Sequence, residues 1–367
     1  MPLRNPQARR VASDDPIRIL AIGGGTGLST LLQGLKYYAN PNLSSDATAP
    51  ALELFPANRR LELTAVVTVT DDGGSSGRLR RDFDVLPPGD IRNCMVALSE
   101  DAALLSKLFQ YRFDAGRGLK GHSFGNLFLT ALTQITGDFQ HAVKLSSEVL
   151  ASAGRIFPST SSNVVLQAKL EDGTVVAGET QISKAKSRIQ SIHLKPRRIH
   201  PLPETLEAIE NADLITFGPG SLFTSVIPNV LVSGIPDAIA RSNAIKAYFC
   251  NLMWQPGETM QFSAADHVAA INKHARRNVI DCIIVNSQTV SAPHRRRYAA
   301  QQVQPVPVDS ERLIEMGLRI VEEDLLARSE KVRHDSHRAA AVAIRLALLG
   351  RRRRQRLQSF PPAAAGL

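Results

Sequence analysis

The 367-residue chain is 43% hydrophobic and 21% charged, which is enough apolar material for one large α/β domain or two of ordinary size. Its three cysteines, Cys94, Cys250 and Cys282, are far apart and form no C-x-x-C pair, so they read as small buried apolar residues and not as a disulfide framework or a zinc knuckle. Of the formal net charge of +10, five units come from Arg351, Arg352, Arg353, Arg354 and Arg356 in an end without acidic residues, so residues 351–367 read as a solvated, disordered basic tail and nucleic acid is not the expected partner.

Residues 1–15 are basic but lack an apolar h-region, and are expected to form a disordered tail. The apolar stretch Ala339–Leu349 is short and interrupted by Arg345, so neither export nor a membrane span is supported and a cytoplasmic protein is expected. From Ile17 the chain reads as strand, Gly-rich turn and helix: Ile17, Ile19, Leu20, Ala21 and Ile22 are continuous apolar residues, and Leu28, Leu31, Leu32 and Leu35 share one helical face. A Pro- and Ser-rich loop follows over 40–60. A strand over Ala65–Val69 precedes helices through Arg92–Leu98, Ala102–Phe113, Ser123–Ile135 and Phe139–Leu150. At about 160–196 the rhythm changes to short β segments with a Glu171-Asp172-Gly173 turn, predicting a small antiparallel insert. Alternation then resumes through the strands DLITFG, KAYFCN and NVIDCIIVN. The domain over 16–350 is expected to be a Rossmann-like, doubly wound α/β fold with a mainly parallel sheet and that β insert.

Five turns fall where strands end or helices begin, and in such sheets ligands gather beyond the carboxyl ends of the strands. In GGGTGLS, a strand that stops at Gly23 and a helix that starts near Thr26 leave amides of Gly24, Gly25, Thr26 and Gly27 free for a phosphate at the positive end of the helix dipole. The third glycine of G-x-G-x-x-G is replaced by Leu28, and no G-K-[ST] occurs, so neither a dinucleotide fingerprint nor a P-loop is present. In TDDGGSSGRLR, Asp71 and Asp72 emerge at a strand end, where they suit Mg²⁺ binding beside phosphates, general-base work, or simple capping of a turn. Gly73, Gly74 and Ser75 follow as phosphate contacts. PPGDIRN offers Arg92 and Asn93 in a first helical turn, with Asp90 as a structural cap; GHSFGN offers His122 and Asn126 four residues apart, on one face if a helix starts there. GPGSLFTS repeats the phosphate-loop logic with Gly218, Gly220, Ser221 and Thr224. No zinc site is expected, and no cofactor beyond Mg²⁺ held partly by substrate phosphates.

In their order, GGGTGLS, DDGGSSGRLR, PPGDIRN, GHSFGNL, GPGSLFTSVIPN and NLMWQPGET resemble the YvcK/CofD-type family, and specifically its YvcK branch, the gluconeogenesis factors, from about Ile17 to about Leu349. The resemblance implies a cytoplasmic bacterial regulator that binds a UDP-sugar such as UDP-N-acetylglucosamine and supports cell shape and growth on gluconeogenic carbon sources. It further implies a homo-oligomer, with a cell-envelope synthesis protein or a Ser/Thr kinase as partner. RRRYAAQQ then supplies Tyr298, to stack on the uracil, and KVRHDS supplies Arg333, to neutralise the diphosphate, with Ser336 nearby as a phosphorylation site. The other branch transfers a phospholactyl-type group from a nucleoside diphosphate carrier onto a deazaflavin, with Asp71 and Asp72 as catalytic, metal-binding residues. The SSGRLR segment counts against that pocket, and the transferase stands as the alternative.

Overall fold

The computed structural model describes residues 15–40, 55, 60–99 and 104–359, so the expected N-terminal tail up to residue 14 and most of the 40–60 loop lie outside the described residues. In chain order, β1 (Ile17–Gly23), α1 (Gly25–Ala39) and β2 (Leu61–Val67) are followed by α2 (Gly74–Phe83), α3 (Gly89–Leu98), α4 (Leu104–Gln110), α5 (Phe124–Thr136) and α6 (Phe139–Val149). Next come β3 (Arg155–Pro158), β4 (Val165–Leu170), β5 (Val175–Ala177), α7 (Glu179–Ile182) and β6 (Ile189–Lys195). The second half contains α8 (Pro203–Asn211), β7 (Leu214–Phe217), a π-helical turn Leu222–Val226, α9 (Ile227–Val230), α10 (Ile235–Arg241) and β8 (Ile245–Phe249). It ends with α11 (Ala264–Ala275), β9 (Cys282–Asn286), α12 (Ala292–Ala299), α13 (Ser310–Glu315), β10 (Arg319–Glu323) and α14 (Ser336–Ser359).

Seven strands form one sheet in the order β10-β9-β8-β7-β1-β2-β3, with every neighbouring pair parallel. Both faces of a parallel sheet are covered by crossover helices, which is why β1, β7 and β8 are almost wholly apolar instead of alternating. From β1 the chain winds outward to β2 and β3, and from β7 it winds the other way, so the switch point lies between β1 and β7. The antiparallel sheet β5-β4-β6 is the insert expected from the sequence. Strands β3 and β10 were not predicted: both lie at the sheet's edges, β3 is four residues long, and neither has the continuous burial that marks an interior strand. Among the described residues no single helix is long and apolar enough to cross a membrane; one bent pair, Leu222–Val230 with Ile235–Arg241, passes on composition and consists largely of core residues.

The basic end is the main correction to the sequence reading. Residues up to Ser359 continue α14, which packs against α1 and onto β1, β7 and β8. Arg351 is buried, and its guanidinium donates to Asp213 through Nε at 3.1 Å, with further bonds to the Pro16 carbonyl and Asp15. Asp213, fully buried, also accepts the Arg18 amide at 2.9 Å. Burial pushes its carboxyl above the usual range, against the pull of that amide and of Arg351 and Arg354. The arginine run is therefore not a uniform solvated face, since its first member ties the last helix to the start of β1 and β7. Removing one partner of a buried pair leaves the other charge uncompensated, so Arg351→Ala is expected to lose about 3 kcal/mol of stability. Urea unfolding checks this, with Arg353→Ala, whose contact to Asp281 is exposed and 3.5 Å long, expected to change stability by less than about 1 kcal/mol.

Candidate functional site

At the switch point, the β1–α1 turn and the turn after β7 pack together. A Cβ on Gly27 would overlap the Pro219 carbonyl, so only glycine permits this approach. Together they form one wall of a cleft of about 400 Å³. Gly24, Gly25, Thr26 and Gly27 line it from the first turn, and Gly220 and Ser221 from the second. The segment 251–255 after β8, Tyr298 of α12 and the Val332–His334 loop complete the enclosure. No side chain caps α1, and among the described residues the amides of Thr26 and Gly27 have no acceptor. These are helix N-terminal donors, open to the cleft.

Arg333 reaches the same cleft and is exposed; among the described residues its guanidinium makes no ion pair or hydrogen bond. Its loop is held from both sides. The Val332 amide donates to the Tyr298 hydroxyl at 3.2 Å, and the ring of His334 bonds the Cys250 carbonyl at 3.2 Å. Burial lowers His334 to about 4, so at neutral pH it is an uncharged donor to that carbonyl. On the facing side Asn251 donates to Gln255 at 2.9 Å, and Gln255 in turn donates to the Ser221 hydroxyl at 2.9 Å, fixing the floor beyond β7 and β8.

Three carboxyls lie in or behind this wall. Asp90 accepts the Gly25 amide, and burial, reinforced by Asp71, pushes it up to about 7. Glu258 accepts the Phe223 amide at 3.0 Å and the Thr224 hydroxyl at 3.2 Å, and burial pushes it up to about 7. Glu179, from the insert's α7, lines the cleft; its Oε2 is buried without a partner among the described residues, and burial, with Asp90 as the next cause, pushes it up to about 9. Glu179 is thus kept largely protonated at neutral pH and can donate a hydrogen bond.

The sequence candidates thus divide into two groups. Gly24, Gly25, Thr26, Gly27, Gly220, Ser221, Tyr298 and Arg333 line one cleft. Gly218 lies behind it, with its amide on the Ile22 carbonyl. Thr224 is buried on Glu258, so the second phosphate loop is already capped by an internal carboxylate and Thr224 does not line the cleft. Gly73, Gly74, Ser75, Arg92, Asn93, His122 and Asn126 do not line it either; they gather around the N-terminus of α2. There Ser75 bonds His122 at 2.9 Å, Asn126 donates to Ser76 at 3.3 Å, and Arg92 donates to Asn93 at 2.7 Å. His122 precedes Ser123, the N-cap of α5, so the spacing to Asn126 does not put both on one helical face.

Asp71 accepts the Gly73 amide at 2.9 Å, while Asp72 accepts the amide and hydroxyl of Thr180 at 2.9 and 2.8 Å, tying the insert to this loop. Among the described residues no three His, Cys, Asp or Glu side chains are grouped to hold a metal ion, so any Mg²⁺ here would rely on ligand oxygens. Sequence reasoning missed Asn251, Gln255 and His334, although segment 251–255 follows β8 at the same carboxyl edge and the rule that located the glycine turns applied to it equally. It also missed Glu179, for which the local sequence of the insert gave no signal.

A family model described as 2-phospho-L-lactate transferase CofD matches residues 19–326. The chain belongs to the CofD family. A gluconeogenesis factor of Bacillus subtilis is 45% identical over 330 residues, covering 90% of this chain and 98% of that protein. One from Halalkalibacterium halodurans is 44% identical, covering 89% and 95%. A crystal structure of a Bacillus halodurans protein superposes with a TM-score of 0.82 at 42% identity, over 90% of this chain and all of the other. These likenesses place the chain in the YvcK branch, as the order of its motifs implied.

Glu258 generates a pH prediction. Its folded value of about 7 lies above the ordinary 4.5, so the folded state holds a proton that the unfolded chain has released between those values. Its contribution to stability is fully present below about pH 4.5 and is lost as pH rises to 7, at no more than about 1.4 kcal/mol per pH unit. Urea unfolding at several pH values should show a shallower decline over this window in Glu258→Gln than in the parent protein.

Proposed function

We propose that the cleft binds the diphosphate of a nucleotide sugar, with UDP-N-acetylglucosamine as the leading candidate, and that the protein is a cytoplasmic ligand-sensing regulator of growth on gluconeogenic carbon and of cell shape. The observation that carries this reading is the convergence of the unpaired Thr26 and Gly27 amides and the unpartnered Arg333 guanidinium on one open cleft at the switch point. Tyr298 adds a ring in the same wall, suited to stacking on a base, and segment 251–255 adds amide side chains suited to sugar hydroxyls. The names of the relatives support the gluconeogenic part. A change at the Arg333 loop on binding is the means by which an envelope-synthesis protein, a Ser/Thr kinase or a second copy of the chain would read occupancy.

Isothermal titration with UDP-N-acetylglucosamine is expected to show saturable binding that Arg333→Ala weakens by at least about tenfold, the loss of one charge-assisted contact. Absence of heat at millimolar ligand overturns the reading. Affinity should also rise as pH falls from about 9 toward 7, because a diphosphate is favoured next to protonated Glu179 and Asp90. Asp90→Asn should flatten the lower part of that profile.

The description of the matching family model favours a second reading, in which a deazaflavin hydroxyl attacks the lactyl-bearing phosphorus of a lactyl-diphospho-nucleoside, the P–O–P bond breaks and the nucleoside monophosphate leaves; Asp71 and Asp72 would hold Mg²⁺ together with the diphosphate. Mass spectrometry of such a reaction would show the acceptor gaining the phospholactyl mass, with Asp71→Asn abolishing the gain. An unchanged acceptor leaves the regulator.

A further inference from the structure

We propose that the chain carries a second anion site, away from the nucleotide cleft, that takes a small phosphorylated metabolite. Strand β6 is an edge of the three-stranded insert, and the end of α11 covers that edge: the His274 Nε2 accepts the Ile192 amide at 3.0 Å, and Lys273 donates to the Gln190 carbonyl at 2.9 Å. At this junction is a cavity of about 310 Å³. Arg197, Lys273 and Arg276 stand around it with His193 and His274, Leu231 contributes apolar surface, and no carboxylate is among its lining residues.

The neighbourhood shows how unusual that is for this protein. Arg277, next to Arg276, pairs with Asp237, and Arg312 pairs with Asp266 on the same α11. Among the described residues Arg197 and Arg276 have no ion pair and no side-chain hydrogen bond, and Lys273 uses one of its three donors. Three cations facing one concavity repel each other unless an anion completes the set. Lys273 is in the last turn of α11 and Arg276 is its C-cap, where the helix dipole tolerates cations but offers an anion nothing, so recognition rests on the side chains.

His193 adds a directional group. One ring nitrogen, Nε2, bonds Gln167 at 3.0 Å, and Nδ1 has no partner among the described residues. Burial, with Arg197 as the next cause, lowers its pKa, so the ring is predominantly neutral until an anion arrives. The volume admits a phosphomonoester or diphosphate of a few carbons. Phe223 lies between the two regions: the His274 ring meets it edge-on at 6.0 Å, and its amide is held by Glu258 behind the cleft wall.

Pyrophosphate titrated into the full chain, observed through the histidine ring signals by NMR, tests the proposal. Saturable shifts of His193 and His274 are expected, with affinity falling at least about tenfold in Lys273→Gln/Arg276→Asn, where Asn suits the left-handed backbone at 276. Arg333→Ala should leave these shifts unchanged, which separates this site from the cleft. No shift at millimolar pyrophosphate, or equal affinity in the double variant, overturns the proposal. So does an equal loss in Arg295→Gln/Arg296→Gln, which would mean general charge attraction. Displacement of pyrophosphate by a single-stranded RNA at lower concentration also overturns it, since the surface would then be a nucleic-acid face.

Discussion

The contact between the turn after β1 and the turn after β7 is the constraint on which the rest of the site depends. These strands are neighbours in the sheet, yet the chain leaves them toward opposite edges, so their carboxyl ends open a gap that no crossover fills. The gap is made narrow by the close approach of Gly27 to the Pro219 carbonyl. A Cβ there would push α1 away from the turn and separate the amides of Thr26 and Gly27 from Gly220 and Ser221. The cleft is therefore a consequence of strand order, and its usable width is set by one residue without a side chain.

Helix N-termini attract negative charge, and this fold satisfies some of them internally. Asp90 takes the Gly25 amide at the start of α1, and Glu258 takes Phe223 and Thr224 in the π-helical turn. Those carboxyls are pushed toward neutral pH by burial, so each is an incompletely charged cap. What remains for a ligand is the part of α1's first turn that Asp90 does not reach, together with Arg333 from the opposite wall. An anion placed there would compete with no internal carboxylate for its donors, but it would lie near Glu179 in the lining and Asp90 behind the α1 wall, so its binding would favour their protonated forms.

The parallel sheet was readable because burial on both faces writes interior strands as unbroken apolar runs, as in ILAI of β1 and LITF of β7. The edge strands β3 and β10 lack that signature, and the Arg-rich end was misread because charge counting cannot see that Asp213 waits at the foot of β7 for Arg351. The glycine turns GGGTG, DDGG and GPGSL do follow strands, while PPGDIRN and GHSFGN open helices, yet composition does not say which amides stay free: GGGTG leaves donors open, whereas in GPGSLFTS the carboxyl of Glu258, more than thirty residues on, satisfies two groups. Likewise DDGGSSG, PPGDIRN and GHSFGN do meet, but they meet one another: Ser75 bonds His122, Asn126 donates to Ser76, Gly89 lies against Ser76 and Asp71, and Gly125 against the Arg92 side chain, forming a platform beside the cleft. Convergence in space was legible; the division of labour was a tertiary fact.

The insert is tied to the cleft by contacts from two loops. Asp72 holds the amide and hydroxyl of Thr180 at the start of α7, and a side chain on Gly257 would overlap the Ser183 carbonyl just beyond its end, so α7 is wedged between the loops that follow β2 and β8. Glu179 is carried into the cleft by that wedge, with an oxygen that no described residue satisfies. An unpartnered buried oxygen carries a desolvation cost, and a ligand hydroxyl or phosphate oxygen sharing its proton relieves it. Because α7 connects directly to β5 and, a few residues on, to β6, relief at Glu179 is mechanically tied to the antiparallel sheet. A ligand bound as proposed would therefore meet the fold at a small element with few residues to hold it, where binding free energy is most easily converted into a change of position.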